Sequence, residues 1–446
     1  MFLTVVGVAR AGAQIPGDPY AELVREGLAA NRGILQARLG VAQRDAEVRR
    51  ARGALLPTLD VDARWSEYDG IPDLGDFVNP AYAALNQLTG TTRFPTDVSF
   101  PLVFQQDMRL RAQLPLFAPE AYANLALQRA LREAEAGRVG AAERSLAAGV
   151  QLAALRVSAA DRAIGIYREA LALLAENRRV SERLVAAGTA TPDAVARTRA
   201  DESAAEQQLA AAERERNDAE RALNELLRRP LDTPAPLVAD SLLGRAPRAE
   251  PSAIIGVATD TREEVRAARA LERAAQAQYR LAGSSFLPTV ALAGDYGFLG
   301  NELRFTPDND FWIVSVVLRW NLFRGGQDAS RRDLATLERE RTALATEETE
   351  VRVEREVRAA LDAVEVAERS IRSADDRLVA ARRTFELVTR RYEEGLAPHL
   401  EVSDARTQYT TAALNAALTR YALAGRQVEL ERATGVREMG ERDASE

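Results

Sequence analysis

Seven ionisable residues recur at every second position of short apolar segments. Asp60, Asp62 and Arg64 alternate with Leu59, Val61, Ala63 and Trp65; Asp107, Arg109 and Arg111 alternate with Met108, Leu110, Ala112 and Leu114; Arg319 follows Leu318. Side chains two apart share one face of a β-strand. A face of carboxylates and guanidiniums must stay wet, because burying unpaired charge is costly. Its chemistry is electrostatic: such a face lines an aqueous path. A second group, Glu401 and Asp404, lies near a predicted turn and has two readings, a functional acidic cluster or the solvated face of a coiled coil.

The usual catalytic residues are mostly missing. There is no Cys, which excludes disulfides, thiolate metal sites and Cys nucleophiles. There is no Lys, so all 59 basic residues are Arg, and neither a phosphate-binding P-loop nor a Schiff-base lysine can exist. The one histidine, His399, cannot build a multi-His metal site. No enzyme activity, cofactor or metal is expected. The net charge of −7 gives no reason to expect nucleic acid as a partner.

The elements that position these residues occur twice. Gly188 and Gly395, each between two charged amphipathic helices, stand 207 positions apart, and the same offset pairs Val157, Ile164, Leu171 and Val185 with Val364, Ile371, Leu378 and Tyr392. Upstream, GALLPTLDVDARW (53–65) recurs as SSFLPTVALAGDY (284–296). Internal repetition of this kind marks one structural unit built twice. The apolar series Val364, Ile371, Leu378, Phe385 and Tyr392 runs at a strict spacing of seven, which predicts a left-handed coiled coil. Arg178 breaks the first copy.

Helices are expected over 19–54, 119–186, 191–229, 260–285, 327–394 and 399–435, with prolines at their ends. The two longest, about 68 residues each, would run about 100 Å. Each half is expected to lay one long helix beside two short ones. Strands are expected over 58–66, 106–114, 289–298 and 311–321, each near the 9–11 residues that cross a bilayer at a barrel tilt. Trp65, Tyr296, Trp312 and Trp320 fall near their ends on the apolar face, where an aromatic girdle would sit. An ordinary soluble sheet is the alternative. Four strands cannot enclose a lumen, so the charged face requires several chains to pool strands. The strand count alone does not fix how many.

The expected layout is a truncated signal peptide (1–13, with an A-x-A-like Ala11-Gly12-Ala13), a first repeat (14–229), a Pro/Ala-rich linker (230–259), a second repeat (260–435) and a tail (436–446). A long loop is expected over 67–104 and a short one over 299–310. No stretch is long and apolar enough for a transmembrane helix.

Nearly the whole chain resembles the outer-membrane efflux proteins, the TolC-like channels. The resemblance rests on ARGALLPTL and GSSFLPTV, on LPLFAPEAYANLALQRA (114–130) and WNLFRGGQDASRRDLA (320–335), and on YEEGLAPHLEVSDART (392–407). It implies a mainly α fold with a small β part, in which three copies form a homotrimer with a shared twelve-stranded barrel and a periplasmic helical tunnel. It further implies an outer-membrane exit duct of a tripartite efflux or type I secretion system, with outer-membrane lipid, a periplasmic adaptor protein and an inner-membrane transporter as partners. The turns, with Gly188, Val195, Gly395, Leu396 and Val402, would be the adaptor-docking tips. Glu401 and Asp404 would fall near the family's closable entrance; Arg197, at the position paired with Asp404 by the 207-residue offset, is expected to act as their latch and complete an entrance gate. The first copy has Ala194 and Arg197 where the second has the two acids, so it departs from the acidic pattern. A periplasmic coiled-coil scaffold without channel activity is the competing reading; it has no use for four bilayer-length strands.

Overall fold

The computed structural model describes residues 20–67, 73–99, 104–188, 191–238, 251–300, 305–307 and 309–435. The expected signal peptide (1–13) and tail (436–446) lie outside them. Along the chain run α1 (Ala21–Ala30), α2 (Arg32–Gly53), β1 (Thr58–Trp65), α3 (Gly75–Thr89), β2 (Gln106–Phe117), α4 (Pro119–Ala186) and α5 (Asp193–Leu227). Then follow α6 (Pro251–Thr261), α7 (Glu263–Ser284), β3 (Thr289–Gly300), β4 (Asp310–Arg319), α8 (Gln327–Glu393) and α9 (His399–Thr434). The described residues form a mainly α fold with four strands, as the periodicities require.

The repeat has two offsets. The β1 and β3 starts, Thr58 and Thr289, differ by 231, as do the helix breaks at Asn31 and Arg262, whereas the turn glycines differ by 207. The change arises because the β1–β2 connection (66–105) is longer than the β3–β4 connection (301–309).

The expected 67–104 loop is not irregular throughout, since it contains α3. Asn79 and Asn86, one heptad apart on α3, each clamp the returning chain: Asn79 bonds both the N–H and the carbonyl of Val98, at 3.0 and 2.9 Å, and Asn86 bonds those of Phe94, at 3.0 and 2.7 Å. The side chains replace the backbone partners that this stretch would otherwise lack. The expected single helix over 19–54 is broken at Asn31, whose Oδ1 accepts from the Gly33 N–H at 2.9 Å and so caps α2. The matching break at Arg262 extends the expected 260–285 helix backwards into a separate α6. There the buried guanidinium reaches Glu264 at 2.7 Å, Glu356 at 3.0 Å and the Ala433 carbonyl at 2.9 Å.

The chain divides into two compact units. The first comprises residues 1–42, 133–270 and 343–446, and its described regular elements are all helices. Its core is small-residue coiled-coil packing: Val150, Ala154 and Val157 of α4 meet Leu223 and Leu227 of α5 and Leu23 and Val24 of α1. The expected linker is partly built into this core. Ala235 and Val238 are buried, and the Val238 N–H donates to Ser158 Oγ at 2.9 Å. Asn224 Nδ2 donates to the Leu231 and Thr233 carbonyls, at 2.9 and 2.7 Å, which holds the chain where α5 ends. The heptad residues face inward as expected, with Val364, Phe385 and Tyr392 all buried. Arg178, the break in the first copy, pairs with Glu202 at 3.2 Å.

The second unit, 43–132 and 271–342, holds the sheet. Its order is β1-β2-β3-β4, antiparallel throughout. β2 is longer than expected and carries a bulge between Pro115 and Phe117, where Pro115 supplies no N–H to the ladder. β4 ends at Arg319, so Trp320 lies just beyond it.

Candidate functional site

The register brings the ionisable residues onto one face. Asp60 opposes Arg111, Asp62 opposes Arg109, and Arg64 opposes Asp107. Arg111 lies between two strands' carboxylates, 3.2 Å from Asp62 and 2.9 Å from Asp295. Asp295 completes this network. It lies within the strand expected over 289–298, but its link to Arg111 exists only through strand pairing. Arg109 bonds Asp107 through Nε at 2.8 Å and lies over the Phe311 ring, 5.7 Å from its centroid. It crosses β3 at Gly297, where a Cβ would sit 2.2 Å from the Met108 carbonyl oxygen. Only glycine allows β2 and β3 this close approach.

The charged face is not uniformly polar. Ile313 opposes Asp295, and Phe311 opposes Gly297, so β4 contributes apolar side chains to it beside Ser315 and Arg319.

The other face is apolar and bare, with Val61 and Trp312 each 75% exposed. Trp65, Tyr296 and Trp312 mark one end of this sheet, and Phe117, Phe286, Trp320 and Phe323 the other, where the strands join the helices. The strands are 8, 12, 12 and 10 residues long. Those lengths bracket the 9–11 residues with which a tilted strand crosses a bilayer, and aromatics stand at both ends.

The helical turns form the second candidate region. Gly188 and Gly395 have φ of 76° and 75°. Each donates its N–H three residues back, to Val185 at 3.0 Å and to Tyr392 at 2.9 Å, and Leu396 N–H reaches the Arg391 carbonyl at 2.7 Å. These bonds satisfy the last carbonyls of α4 and α8, with glycine in the left-handed position. Leu396 is 67% exposed, and Val195 is half-buried. Val402 is only 2% exposed and packs with Val180, Phe385 and Tyr392, so it supports the turn from inside and offers no docking surface.

A polar seam, not foreseen from the sequence, joins the two repeats beside these turns. Ser181 Oγ and the Tyr392 hydroxyl are 2.9 Å apart, and Thr198 Oγ1 and His399 Nε2 are 2.7 Å apart. Asp201 accepts from Ser403 at 2.6 Å and from Arg406 at 2.9 Å. Burial holds the His399 imidazole below its usual pKa, with Asp201 opposing that shift and Arg197 adding to it. Burial also lowers the Arg406 guanidinium, again against Asp201.

The expected gate residues are not joined as the sequence suggested. Arg197 bonds Asp193 on its own helix at 3.2 Å and touches neither acid. The i,i+4 partner was the nearer carboxylate. Glu401 faces Arg391 at 3.6 Å, and Asp404 accepts from Gln408 at 2.8 Å. Within one chain the carboxylate contact expected of Arg197 is made instead by Arg391, to Glu401.

Among the described residues no helix is long and apolar enough to cross a membrane, and no cluster of side chains could hold a metal ion.

Comparison with known proteins agrees with this architecture. The model of the family described as outer membrane efflux protein matches residues 23–227 and 254–436. The chain is 26% identical over 397 residues to outer membrane protein OprJ of Pseudomonas aeruginosa, covering 86% of this chain and 77% of that protein. Its fold matches the outer membrane protein VceC of Vibrio cholerae with a TM-score of 0.77 at 18% identity, covering 93% of this chain and 96% of that one. It also matches the open state of the MtrE outer membrane channel of Neisseria gonorrhoeae with a TM-score of 0.73 at 21% identity, covering 93% and 88%. With sheet, turns and duplicated helices in agreement, this chain belongs to the outer membrane efflux protein family.

Proposed function

We propose that three copies of this outer-membrane efflux channel pool their strands into one barrel and act as a passive exit duct. The observation that carries this reading is the sheet itself. It has a charged face, a bare apolar face, and edges at β1 and β4 that no described strand covers. An open sheet with those properties is stable in a bilayer only when closed by further copies. The charges then line water and the apolar face meets lipid. Exposed Leu337, Leu344 and Val351, at intervals of seven on α8, supply a seam for a neighbouring helix. A soluble scaffold would leave both apolar surfaces in water.

The family works in tripartite assemblies with an adaptor and an inner-membrane transporter. In our reading Gly188, Val195, Gly395 and Leu396 meet the adaptor, with Val402 packing beneath them. Glu401 and Asp404 from each copy ring the periplasmic entrance, held by Arg391, while Arg197 stays on its own helix. Movement is driven by the transporter, since a chain without lysine has no P-loop.

Mass measurement of the detergent-solubilised protein, followed by planar-bilayer recording, tests the assembly. A trimer with discrete conductance is expected. A monomer with protected strands and no conductance would overturn the reading.

A further inference from the structure

The segment after β4 differs from its counterpart after β2. In the first copy Leu116-Phe117 is followed by Ala118-Pro119-Glu120; in the second, Leu322-Phe323 is followed by Arg324-Gly325-Gly326. The two copies also expose the apolar pair differently. Leu322 and Phe323 are 80% and 82% exposed, against 52% and 46% for Leu116 and Phe117. Gly325 and Gly326 both have positive φ, 59° and 79°, a consecutive left-handed turn that only glycine makes without strain. Trp320 anchors the other side of the segment, donating its Nε1–H to the Phe286 carbonyl at 3.1 Å.

Beside this apolar pair stand two half-exposed guanidiniums around one carboxylate. Arg324 and Arg331 each lie 3.8 Å from Asp328 Oδ1, beyond hydrogen-bond range. Asp328 is buried, and its other oxygen accepts from Asn321 at 2.8 Å. One carboxylate thus faces two cations. Asp333 follows Arg331 two residues later in the chain, and Arg332 is already engaged by Tyr279, whose hydroxyl accepts from it at 2.9 Å. The cluster sits at the end of the sheet that joins the helices, level with exposed Leu56, Leu116, Phe117 and Phe286.

We propose that residues 320–331 form a lipid site in which Leu322 and Phe323 enter the periplasm-facing leaflet and Arg324 and Arg331 hold the head group of an anionic phospholipid. This rests on the outer-membrane channel reading above. Aromatic and aliphatic side chains at the interface with arginines just outside it are the chemistry of an anchored boundary. The positive surplus over Asp328 selects a net negative head group over a zwitterionic one. The first repeat, with Glu120 in place of this arginine–glycine turn, has the apolar half alone.

The test is lipid retention. The full-length protein is reconstituted in nanodiscs of equal phosphatidylglycerol and phosphatidylcholine, gently delipidated, and its retained lipids are quantified by mass spectrometry beside single-channel conductance. Wild type should retain phosphatidylglycerol selectively. Arg324→Gln and Arg331→Gln should each cut that enrichment about fivefold, with conductance unchanged, and the Arg→Lys variants should keep most of it. Unchanged enrichment in the double Gln variant, with normal conductance, overturns the lipid site and leaves the channel reading standing. Leu322→Ser with Phe323→Ser should also lower retention. If instead it dissociates the oligomer while retention per chain persists, the pair is a protomer contact and the proposal fails. Absence of conductance in wild type would count against the channel reading alone.

Discussion

His399 and Thr198, one from each repeat, are joined through Nε2 and Oγ1 at 2.7 Å, and the geometry fixes the tautomer. The Thr198 hydroxyl donates to the Ala194 carbonyl at 3.0 Å, so the imidazole must supply the proton through Nε2–H. Nδ1 is then a bare acceptor, buried and without a hydrogen-bond partner. Protonating it would bury an unsatisfied N–H. The surroundings are mixed: Asp193, Arg197 and Asp201 on α5, Arg406 on α9, and the Tyr392 ring on α8, tilted edge-on at 5.8 Å.

This relationship predicts a pH dependence. The folded pKa lies below the ordinary 6.5, so the unfolded chain binds more protons between the two values, and stability rises with pH through that window. Thermal unfolding at about pH 5 and about pH 7.5 should therefore show a larger loss on acidification in wild type than in His399→Gln. Equal losses would mean that the seam does not sense the proton.

Gly395 is expected to matter for docking more than for folding. A Cβ there would meet nothing within 4 Å, but φ is 75°. A bulky residue should cost about 1–2 kcal/mol of local strain, too little to unfold the chain. Gly395→Trp should leave oligomers in the membrane and abolish adaptor-dependent export. Full export would remove the turn from the docking surface.

Glu401 and Asp404 are expected to favour cations at the entrance. Glu401→Ala with Asp404→Ala should lower cation selectivity and weaken block by multivalent cations in planar bilayers. Arg391→Ala should open the entrance slightly, because its pair with Glu401 is half-exposed and contributes about 0–1 kcal/mol. Unchanged selectivity and block in the double variant would place both acids on a solvated outer face.

Gly297 should tolerate no side chain. The obstruction 2.2 Å from its notional Cβ is the Met108 backbone carbonyl, which cannot swing aside. Gly297→Val should sharply reduce heat-resistant oligomer on gels, whereas Gly294→Ala, with only the Ile313 carbonyl 3.9 Å away, should be close to wild type. Equal yields would show that β2 and β3 can separate without loss.

The sequence by itself determined most of the elements and their repetition, though not α3 or the breaks at Asn31 and Arg262. Period-two alternation placed β1 to β4 to within a few residues, and heptad spacing placed Val364, Phe385 and Tyr392 in the core, because burial follows directly from those periods. The turn glycines were legible for the same local reason: a left-handed residue is needed where α4 and α8 stop. Tertiary structure decided what depends on pairing between distant segments. Arg111 bridges Asp62 and Asp295 only because β2 lies between β1 and β3, and the partners Thr198 and His399 are 201 residues apart. The 207-residue offset aligns like with like, whereas the seam joins unlike positions, so the repeat could not reveal it. Arg197 misled for a related reason. Its offset from Asp404 suggested a facing pair, yet Asp193, four residues away on the same helix, was closer than any carboxylate across the hairpins.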